Sequence, residues 1–175
     1  MAVHRLNHAV LFVSDLDRSV AFYRDVMGFR VVTTAPIAHG AAFLQAPDST
    51  NDHDLGLFAL GAGAAPSPAG HGTVGLYHLA WEVDTLADLA GLHDTLAAAG
   101  ALVGASDHGT TKSLYGKDPD GLEFEVVWLI PADRLDASDT DARTRIGPLD
   151  LDREIARFGA DTRGGVGISR TLVDS

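Results

Sequence analysis

Two histidines and one glutamate occupy positions from which they could bind a metal ion. His8 lies in the run Leu-Asn-His-Ala-Val-Leu-Phe-Val, and His78 has the same place in the later run Leu-Tyr-His-Leu-Ala-Trp-Glu-Val. Glu125 lies within an apolar, strand-like run, where its carboxylate must be paired or must bind something because a lone buried charge is costly. Two imidazoles and one carboxylate form the facial triad of non-haem Fe(II) sites, which leaves positions open for substrate and dioxygen. The pattern predicts a metal site made of His8, His78 and Glu125.

Each of these three residues also has an ordinary interpretation. A single histidine in a strand is more often a hydrogen-bonded core or surface residue than a ligand, and a glutamate in mid-strand usually faces water. The repeat favours the metal site, because two histidines at equivalent positions would otherwise be a coincidence. Strand alternation places His8 on one face with Val10 and Phe12, and packing of two equivalent units would bring both imidazoles to one cleft.

The repeat extends beyond the histidines and divides the chain into two similar halves. In each half a strand is followed by a helical pattern of apolar residues, and Leu16 is separated from Leu86 by the same distance along the chain as His8 from His78. The predicted helix caps and ends are Ser14 or Asp15 and Gly28 in the first half, and Asp84 or Thr85 and Gly100 in the second.

Three short β-like runs follow each helix, so the predicted fold class is α+β with two βαβββ modules. The runs are residues 29–33, 41–45 and 55–60 in the first half, and residues 101–104, 113–115 and 122–130 in the second. We expect one domain over residues 1–131, with module one at 5–60, a Gly/Ala/Pro-rich linker at 61–74 and module two at 75–130. Residues 132–175 are expected to form a C-terminal tail with a short helix after Pro148.

Composition narrows the range of partners. The chain has 24 acidic and 13 basic residues among 175, and its net charge of −11 repels phosphate backbones, so no nucleic-acid partner is expected. Because cysteine is absent, any metal must be bound by His, Asp or Glu. No targeting segment and no apolar stretch long enough to span a membrane is found, which predicts a cytoplasmic protein without a membrane partner.

Four stretches within residues 5–130 are informative when they are taken together. They are Asn7-His-Ala-Val-Leu-Phe-Val13, Asp15-Leu-Asp-Arg-Ser-Val-Ala-Phe-Tyr-Arg-Asp-Val-Met-Gly-Phe29, His78-Leu-Ala-Trp-Glu-Val83 and Asp118-Pro-Asp-Gly-Leu-Glu-Phe-Glu125. Together they resemble the vicinal oxygen chelate superfamily, which comprises glyoxalase, bleomycin-resistance and extradiol-dioxygenase proteins. The resemblance implies that the two modules form a curved mixed sheet around a metal cleft, with His8, His78 and Glu125 as ligands.

The chain looks closest to the extradiol, catechol 2,3-dioxygenase-like branch. Isomerases and lyases of the superfamily usually add a glutamate ligand from the last strand of the first module, and the run Leu55-Gly-Leu-Phe-Ala-Leu60 contains no carboxylate. In the extradiol branch a histidine and a tyrosine beside the metal serve proton transfer and substrate hydrogen bonding, which points to His108 and Tyr115. The spacing between Tyr115 and Glu125 suits neighbouring strands joined by the turn at 118–121.

The expected function is therefore Fe(II)-dependent cleavage of a catechol-like diol with O2, in a homodimer; Mn(II), Ni(II) and Zn(II) remain alternative metals. One alternative function is a metal-dependent isomerase, epimerase or lyase, which would take its additional base or ligand from His53 or Glu123. A second alternative is a metal-free drug-binding module of the bleomycin-resistance kind. Many extradiol enzymes carry four modules and this chain shows two, so the resemblance does not specify its substrate.

Overall fold

The computed structural model describes residue 3 and residues 5–32, 40–70 and 72–165, which form two compact units. The first unit contains residues 1–68 and 118–122, and the second contains 69–117 and 123–175, each within the described range. Each unit has a mixed sheet in which the first strand pairs in parallel with the fourth strand. The prediction of an α+β fold with two βαβββ modules is confirmed.

The described residues of the first unit form four strands and one short α-helix. The strands are β1 (Ala9–Val13), β2 (Arg30–Val31), β3 (Ala41–Gln45) and β4 (Leu55–Ala59), in the sheet order β1-β4-β3-β2. Helix α1 (Leu16–Ala21) begins after Asp15, whose carboxylate accepts a hydrogen bond from the Arg18 amide. Residue 33, at the end of a predicted strand, lies outside the described residues.

The first helix is shorter than its apolar pattern predicts. Its last turns are replaced by a π-helical turn, Phe22–Val26, in which the Met27 amide donates to the Phe22 carbonyl at 3.2 Å. Tyr23 in this turn is buried, and its hydroxyl donates to the carboxylate of Asp118 at 3.2 Å. The pattern of apolar side chains shows which face is buried but does not distinguish the wider turn from a continuous α-helix.

The second unit repeats the order with longer elements. Strands β5 (His78–Glu82), β6 (Leu102–Asp107), β7 (Thr111–Lys117) and β8 (Glu123–Leu129) accompany helix α2 (Leu86–Ala98). Helix α2 begins with a capping box, in which the Thr85 hydroxyl accepts from the Asp88 amide and the Asp88 carboxylate accepts from the Thr85 amide. Its apolar side packs on the sheet through the buried residues Leu86, Leu89 and Leu96.

The C-terminal segment, defined here as residues 131–165, is part of the second unit. It contains a 3-10 turn (Ala132–Arg134), helix α3 (Ala137–Ala142), the short strand β9 (Gly147–Pro148) and helix α4 (Leu151–Phe158). Strand β9 completes the sheet of the second unit, whose order is β5-β8-β7-β6-β9. Phe158 packs against the fully buried Trp128 with ring centroids 5.5 Å apart. The predicted helix after Pro148 is therefore present, and residues 166–175 of the predicted tail lie outside the described residues.

Each sheet buries one face and leaves the other accessible. In β8 the side chains of Phe124, Val126 and Trp128 are buried, whereas the intervening side chains are half-buried. In β1 the alternation is the same, and Phe12 is 66% exposed on the face opposite Val13. Among the described residues, no helix has the length and apolar character needed to cross a bilayer.

Candidate functional site

Four side chains of the second unit form one series of short polar contacts, called here the polar chain: His78, Glu125, Tyr115 and His108. The His78 Nε2 atom lies 3.2 Å from Glu125 Oε2. The Tyr115 hydroxyl donates to Glu125 Oε1 at 3.4 Å, and the same hydroxyl lies 2.8 Å from His108 Nε2. Four of the five residues predicted for the site are thus in contact with one another.

Strand register explains this arrangement. Glu125 lies opposite Ala80 in the parallel pair β5–β8 and opposite Tyr115 in the antiparallel pair β7–β8. Side chains two residues apart in a strand share a face, so His78 points to the same side of the sheet as Glu125. The predicted proximity of Tyr115 and Glu125 across the turn is confirmed by their direct pairing. His108 follows β6, and its main chain closes the β6–β7 turn by donating to the Thr111 carbonyl at 3.0 Å.

The polar chain lies in a partly desolvated part of the second unit. The side chain of Glu125 is 15% exposed and that of His78 is 26% exposed. Burial and the adjacent charge of Glu125 raise the pKa of Tyr115, so its hydroxyl keeps its proton at neutral pH. Tyr115 is therefore a hydrogen-bond donor and not a phenolate.

Two of the three predicted metal ligands have suitable atoms and spacing. Two ligand atoms bound at about 2.1 Å and at right angles are about 3 Å apart, and the 3.2 Å separation of His78 Nε2 and Glu125 Oε2 is close to this value. An imidazole nitrogen and a carboxylate oxygen are donors that suit Fe(II), Mn(II), Ni(II) and Zn(II). Within either unit, the described residues include no group of three or more His, Asp or Glu side chains with metal-binding geometry.

The third predicted ligand, His8, belongs to the first unit. It is exposed just before β1, and its Nδ1 atom lies 2.8 Å from the side-chain oxygen of Asn7. The ring of His53 lies beside it, with ring centroids 4.6 Å apart, and His53 also contacts the edge of Phe43. The joint ligand set of His8, His78 and Glu125 remains a prediction.

The sequence suggested His53 only as an additional base or ligand for the alternative isomerase, and the structure places its ring beside His8, a predicted ligand. The parallel ladder between β1 and β4 sets Ala9 opposite Leu55, which brings the residues just before both strands together. The repeat could not reveal this contact, because the second half has no histidine at the position equivalent to His53. Glu123, the other residue considered as an extra base, lies 3.6 Å from Lys117 and is one-third exposed.

Comparison with known proteins assigns the chain to a family. Residues 5–126 match the Glyoxalase/Bleomycin resistance protein/Dioxygenase superfamily, and the chain belongs to this family. Solved structures agree in fold: a glyoxylase/bleomycin resistance protein/dioxygenase domain from Frankia sp. EAN1pec superposes with a TM-score of 0.59 at 22% identity, covering 72% of this chain and 92% of that one.

The curated relatives fall into two groups with different names. A probable lactoylglutathione lyase from Vibrio cholerae is 33% identical over 73% of this chain and 92% of its own length. Biphenyl-2,3-diol 1,2-dioxygenases 2 and 3 from Rhodococcus globerulus are 33% and 37% identical over 71% and 70% of this chain. The matched region spans 63% and 62% of the length of those two dioxygenases. The family is thus established at a level that includes both lyases and dioxygenases.

Proposed function

We propose that this protein is a metal-dependent extradiol-type dioxygenase that cleaves a catechol-like vicinal diol with O2. The observation that carries the proposal is the polar chain, in which Tyr115 donates to the candidate metal-binding carboxylate of Glu125 and is itself hydrogen-bonded to His108. The histidine–tyrosine pair corresponds to the proton-transfer and hydrogen-bonding residues of the extradiol branch that the sequence resembles. Ring cleavage uses such a pair, because the diol must lose protons and its oxygens must be held in place.

In this proposal His78 and Glu125 of the second unit, together with His8 of the first unit, would hold the metal ion, with Fe(II) preferred. When bound, a ferrous ion would favour the deprotonated diol and supply the open positions for diol and dioxygen. The remaining chemistry belongs to side chains of the second unit.

Tyr115 and His108 have separate roles in the proposal. The Tyr115 hydroxyl, which donates to Glu125 in the structure, donates a hydrogen bond to a substrate oxygen. His108 Nε2 accepts a proton from the substrate hydroxyl and later returns one, because an imidazole exchanges protons readily near neutral pH. Both oxygen atoms of O2 enter the ring-opened product, and no external reductant is needed.

Similarity to the diol dioxygenases supports this proposal despite the small size of the chain. The match to biphenyl-2,3-diol 1,2-dioxygenase 2 covers 71% of this chain and 63% of that protein.

Metal analysis combined with oxygen uptake tests the proposal. The protein is purified without chelator, its metal content is measured, and it is reconstituted with Fe(II) under anaerobic conditions. Oxygen uptake is then followed with catechol and biphenyl-2,3-diol. We expect stoichiometric O2 consumption and a coloured ring-opened product with at least one diol; metal binding without any O2 uptake would contradict the dioxygenase.

A metal-dependent lyase or isomerase is the second candidate, favoured by one specific contact. The His53 ring beside His8 could supply the additional ligand or base that β4 lacks. Activity on the adduct of methylglyoxal with glutathione, in the absence of O2 uptake, would favour this function. Failure to bind any divalent metal would contradict both enzymes and favour a metal-free binding module.

A further inference from the structure

The C-terminal segment lies beyond the part of the chain that matches the family. It nevertheless packs on the loop between β6 and β7, residues 108–110, which carries His108. The family match ends at residue 126, and the segment comprises residues 131–165. Strand β9 pairs with the end of β6 at Ser106 and Asp107, directly before this loop. The loop is therefore bordered by structure that the family match does not include.

Helix α3 contacts the loop at Gly109, the residue that follows His108. A Cβ atom at Gly109 would lie 2.8 Å from Ala142 Cβ and 2.8 Å from the Arg143 amide nitrogen, and it would also collide with the Asp139 carbonyl oxygen. Gly109 has a φ of +77°, which disfavours any other residue. Only glycine allows the helix to approach this closely.

Helix α4 contacts the start of β7, directly after this loop, through a buried ion pair. Lys112 and Glu154 have side chains only 1% exposed, and Lys112 Nζ lies 3.3 Å from Glu154 Oε2. The same ammonium group donates to Asp107 Oδ1 at 2.6 Å and to the Gly109 carbonyl at 3.1 Å. Lys112 thus connects both ends of the turn to helix α4.

These contacts fix the main chain on either side of His108. Asp107 Oδ1, held by Lys112, also accepts from the Gly109 amide at 2.8 Å. Arg153 adds a second link from α4, because its guanidinium lies 3.3 Å from Asp107 Oδ2. A lysine buried between two carboxylates fixes its neighbours strongly, because breaking such a pair leaves a buried charge uncompensated.

We propose that the C-terminal segment positions His108 against Tyr115, and that Gly109, Lys112 and Glu154 are the positioning residues. The inference rests on the proposed function for its catalytic consequence, since it assigns His108 a proton-transfer role. Its structural part, that the segment determines the conformation of the loop, stands independently of any activity.

Gly109→Ala tests the contact with helix α3, and Gly100→Ala is its matched control. Gly100 also has a positive φ, +66°, but a Cβ atom there would meet nothing within 4 Å. Hydrogen exchange of the metal-free protein is measured by mass spectrometry on peptides covering residues 105–112. We expect about tenfold faster exchange in this loop for Gly109→Ala and less than about twofold change for Gly100→Ala. Equal effects of the two variants, or no effect of either, would overturn the inference.

Glu154→Gln tests the buried ion pair without a change of shape, and Asp152→Asn is its control. Asp152 is an exposed acid in the same helix, so each variant removes one negative charge from α4. We expect faster loop exchange only in Glu154→Gln, and this variant decides the question if Gly109→Ala fails to fold. Unchanged loop exchange in folded Glu154→Gln would remove Lys112 and Glu154 from the set of positioning residues.

Kinetics separate the inference from the proposed function. With Fe(II)-loaded protein and catechol, displacement of His108 should lower kcat about tenfold and leave KM within about threefold, because proton transfer and not binding is impaired. Faster hydrogen exchange in the loop with an unchanged kcat would contradict the proton-transfer role of His108. It would still support the inference that the C-terminal segment determines the conformation of the loop. If the wild-type protein consumes no O2 with any diol, the proposed function fails, and hydrogen exchange still decides the structural part.

Discussion

The two units share a backbone plan but place different side chains at the same ladder positions. In the second unit Glu125 lies between Ala80 and Tyr115 across the sheet. In the first unit the corresponding residue is Gly56, which lies between Val10 and Phe43. The carboxylate and the phenol of the second unit are thus replaced by a glycine and a phenyl ring.

This difference separates the features of the repeat that maintain the fold, which both units share, from the side chains that could take part in a reaction, which the units do not share. Both units keep a histidine before or at the start of the first strand, and in both the first strand pairs in parallel with the fourth. The core pair also differs: Leu44 lies opposite Leu55 in the first unit, and Gly116 lies opposite Phe124 in the second. The fold therefore tolerates exchange of large and small residues when the total volume at a pair is kept.

Removing the carboxylate of Glu125, which has no counterpart in the first unit, should have the largest effect, a loss of metal affinity. Glu125→Gln keeps the shape of the side chain and eliminates its charge. We expect Fe(II) affinity to fall about 100-fold or more, because mutation of residues that only hydrogen-bond to metal ligands already lowers affinity roughly 10- to 100-fold. Metal content after dialysis measures the effect. Glu123→Gln, on the same strand face and paired with Lys117, is the control; equal metal loss in both variants would remove Glu125 from the ligand set.

Replacing Tyr115 by phenylalanine, the residue type at the corresponding position of the first unit, should impair activity and leave the metal bound. Tyr115→Phe removes the hydroxyl that bonds Glu125 and His108, and we expect O2 uptake with catechol to fall about 100-fold at unchanged metal content. Phe43→Tyr adds a hydroxyl at the corresponding position of the first unit and should have no such effect. Full activity in Tyr115→Phe would show that the difference between the two units is not catalytic.

Overfilling the Gly116–Phe124 pair should destabilise the second unit. A Cβ atom at Gly116 would lie 2.8 Å from Phe124 Cε2 and would collide with the ring edge. We expect Gly116→Ala to lower the free energy of unfolding by about 2 kcal/mol in urea denaturation. Adding Phe124→Leu makes the pair more similar to Leu44–Leu55 of the first unit and should offset about 1 kcal/mol of that loss. If the changes in unfolding free energy of the two single variants simply add in the double variant, this account of the pair is wrong.

The smallest expected effect concerns the buried carboxylate of the first unit, Asp118. Burial raises the pKa of Asp118, and this outweighs the opposing hydrogen bonds from the Leu122 and Asp120 amides. The folded state therefore binds the proton more tightly than the unfolded chain. The resulting stabilisation is complete below the unfolded pKa and is lost as pH rises through the folded pKa.

Asp118→Asn should remove this pH dependence. The difference in unfolding free energy between wild type and Asp118→Asn is measured from about pH 3 to about pH 7. We expect the wild type to lose stability relative to the variant as the pH rises through this range, by less than about 1 kcal/mol in total. A wild type that gains relative stability with rising pH would show that Asp118 acts as an ordinary paired carboxylate.

Much of the fold follows from local patterns in the sequence. The internal repeat identified both modules, and the capping residues Asp15 and Thr85 were among the expected alternatives. The strands 41–45 and 55–59 match the predicted runs closely, because alternation and flanking turn residues are local signals. Trp128 is fully buried, in agreement with its alternation against Glu125, whereas Trp81 is only half-buried.

Contacts between distant segments were less accessible from sequence. The burial of Lys112 depends on Glu154 in the last helix of the C-terminal segment, and no periodic pattern marks a lysine as an interior residue. In the site, the pairing of Tyr115 with Glu125 could be predicted because both flank one turn, whereas the contact of His53 with His8 depends on the register of a parallel pair. Family resemblance supplied the roles of His108 and Tyr115, which spacing alone does not provide.

The parallel pairing of the first and fourth strands has a consequence for synthesis of the chain. His78 pairs with Glu123, and helix α2 and two further strands lie between them in the sequence. At a synthesis rate of about 5–20 residues per second, β5 therefore emerges from the ribosome seconds before its partner. During this time Leu79 and Trp81 lack the strand that pairs with them in the folded protein. The first unit is also completed late, since Tyr23 receives its partner Asp118 only after most of the second sheet has been translated.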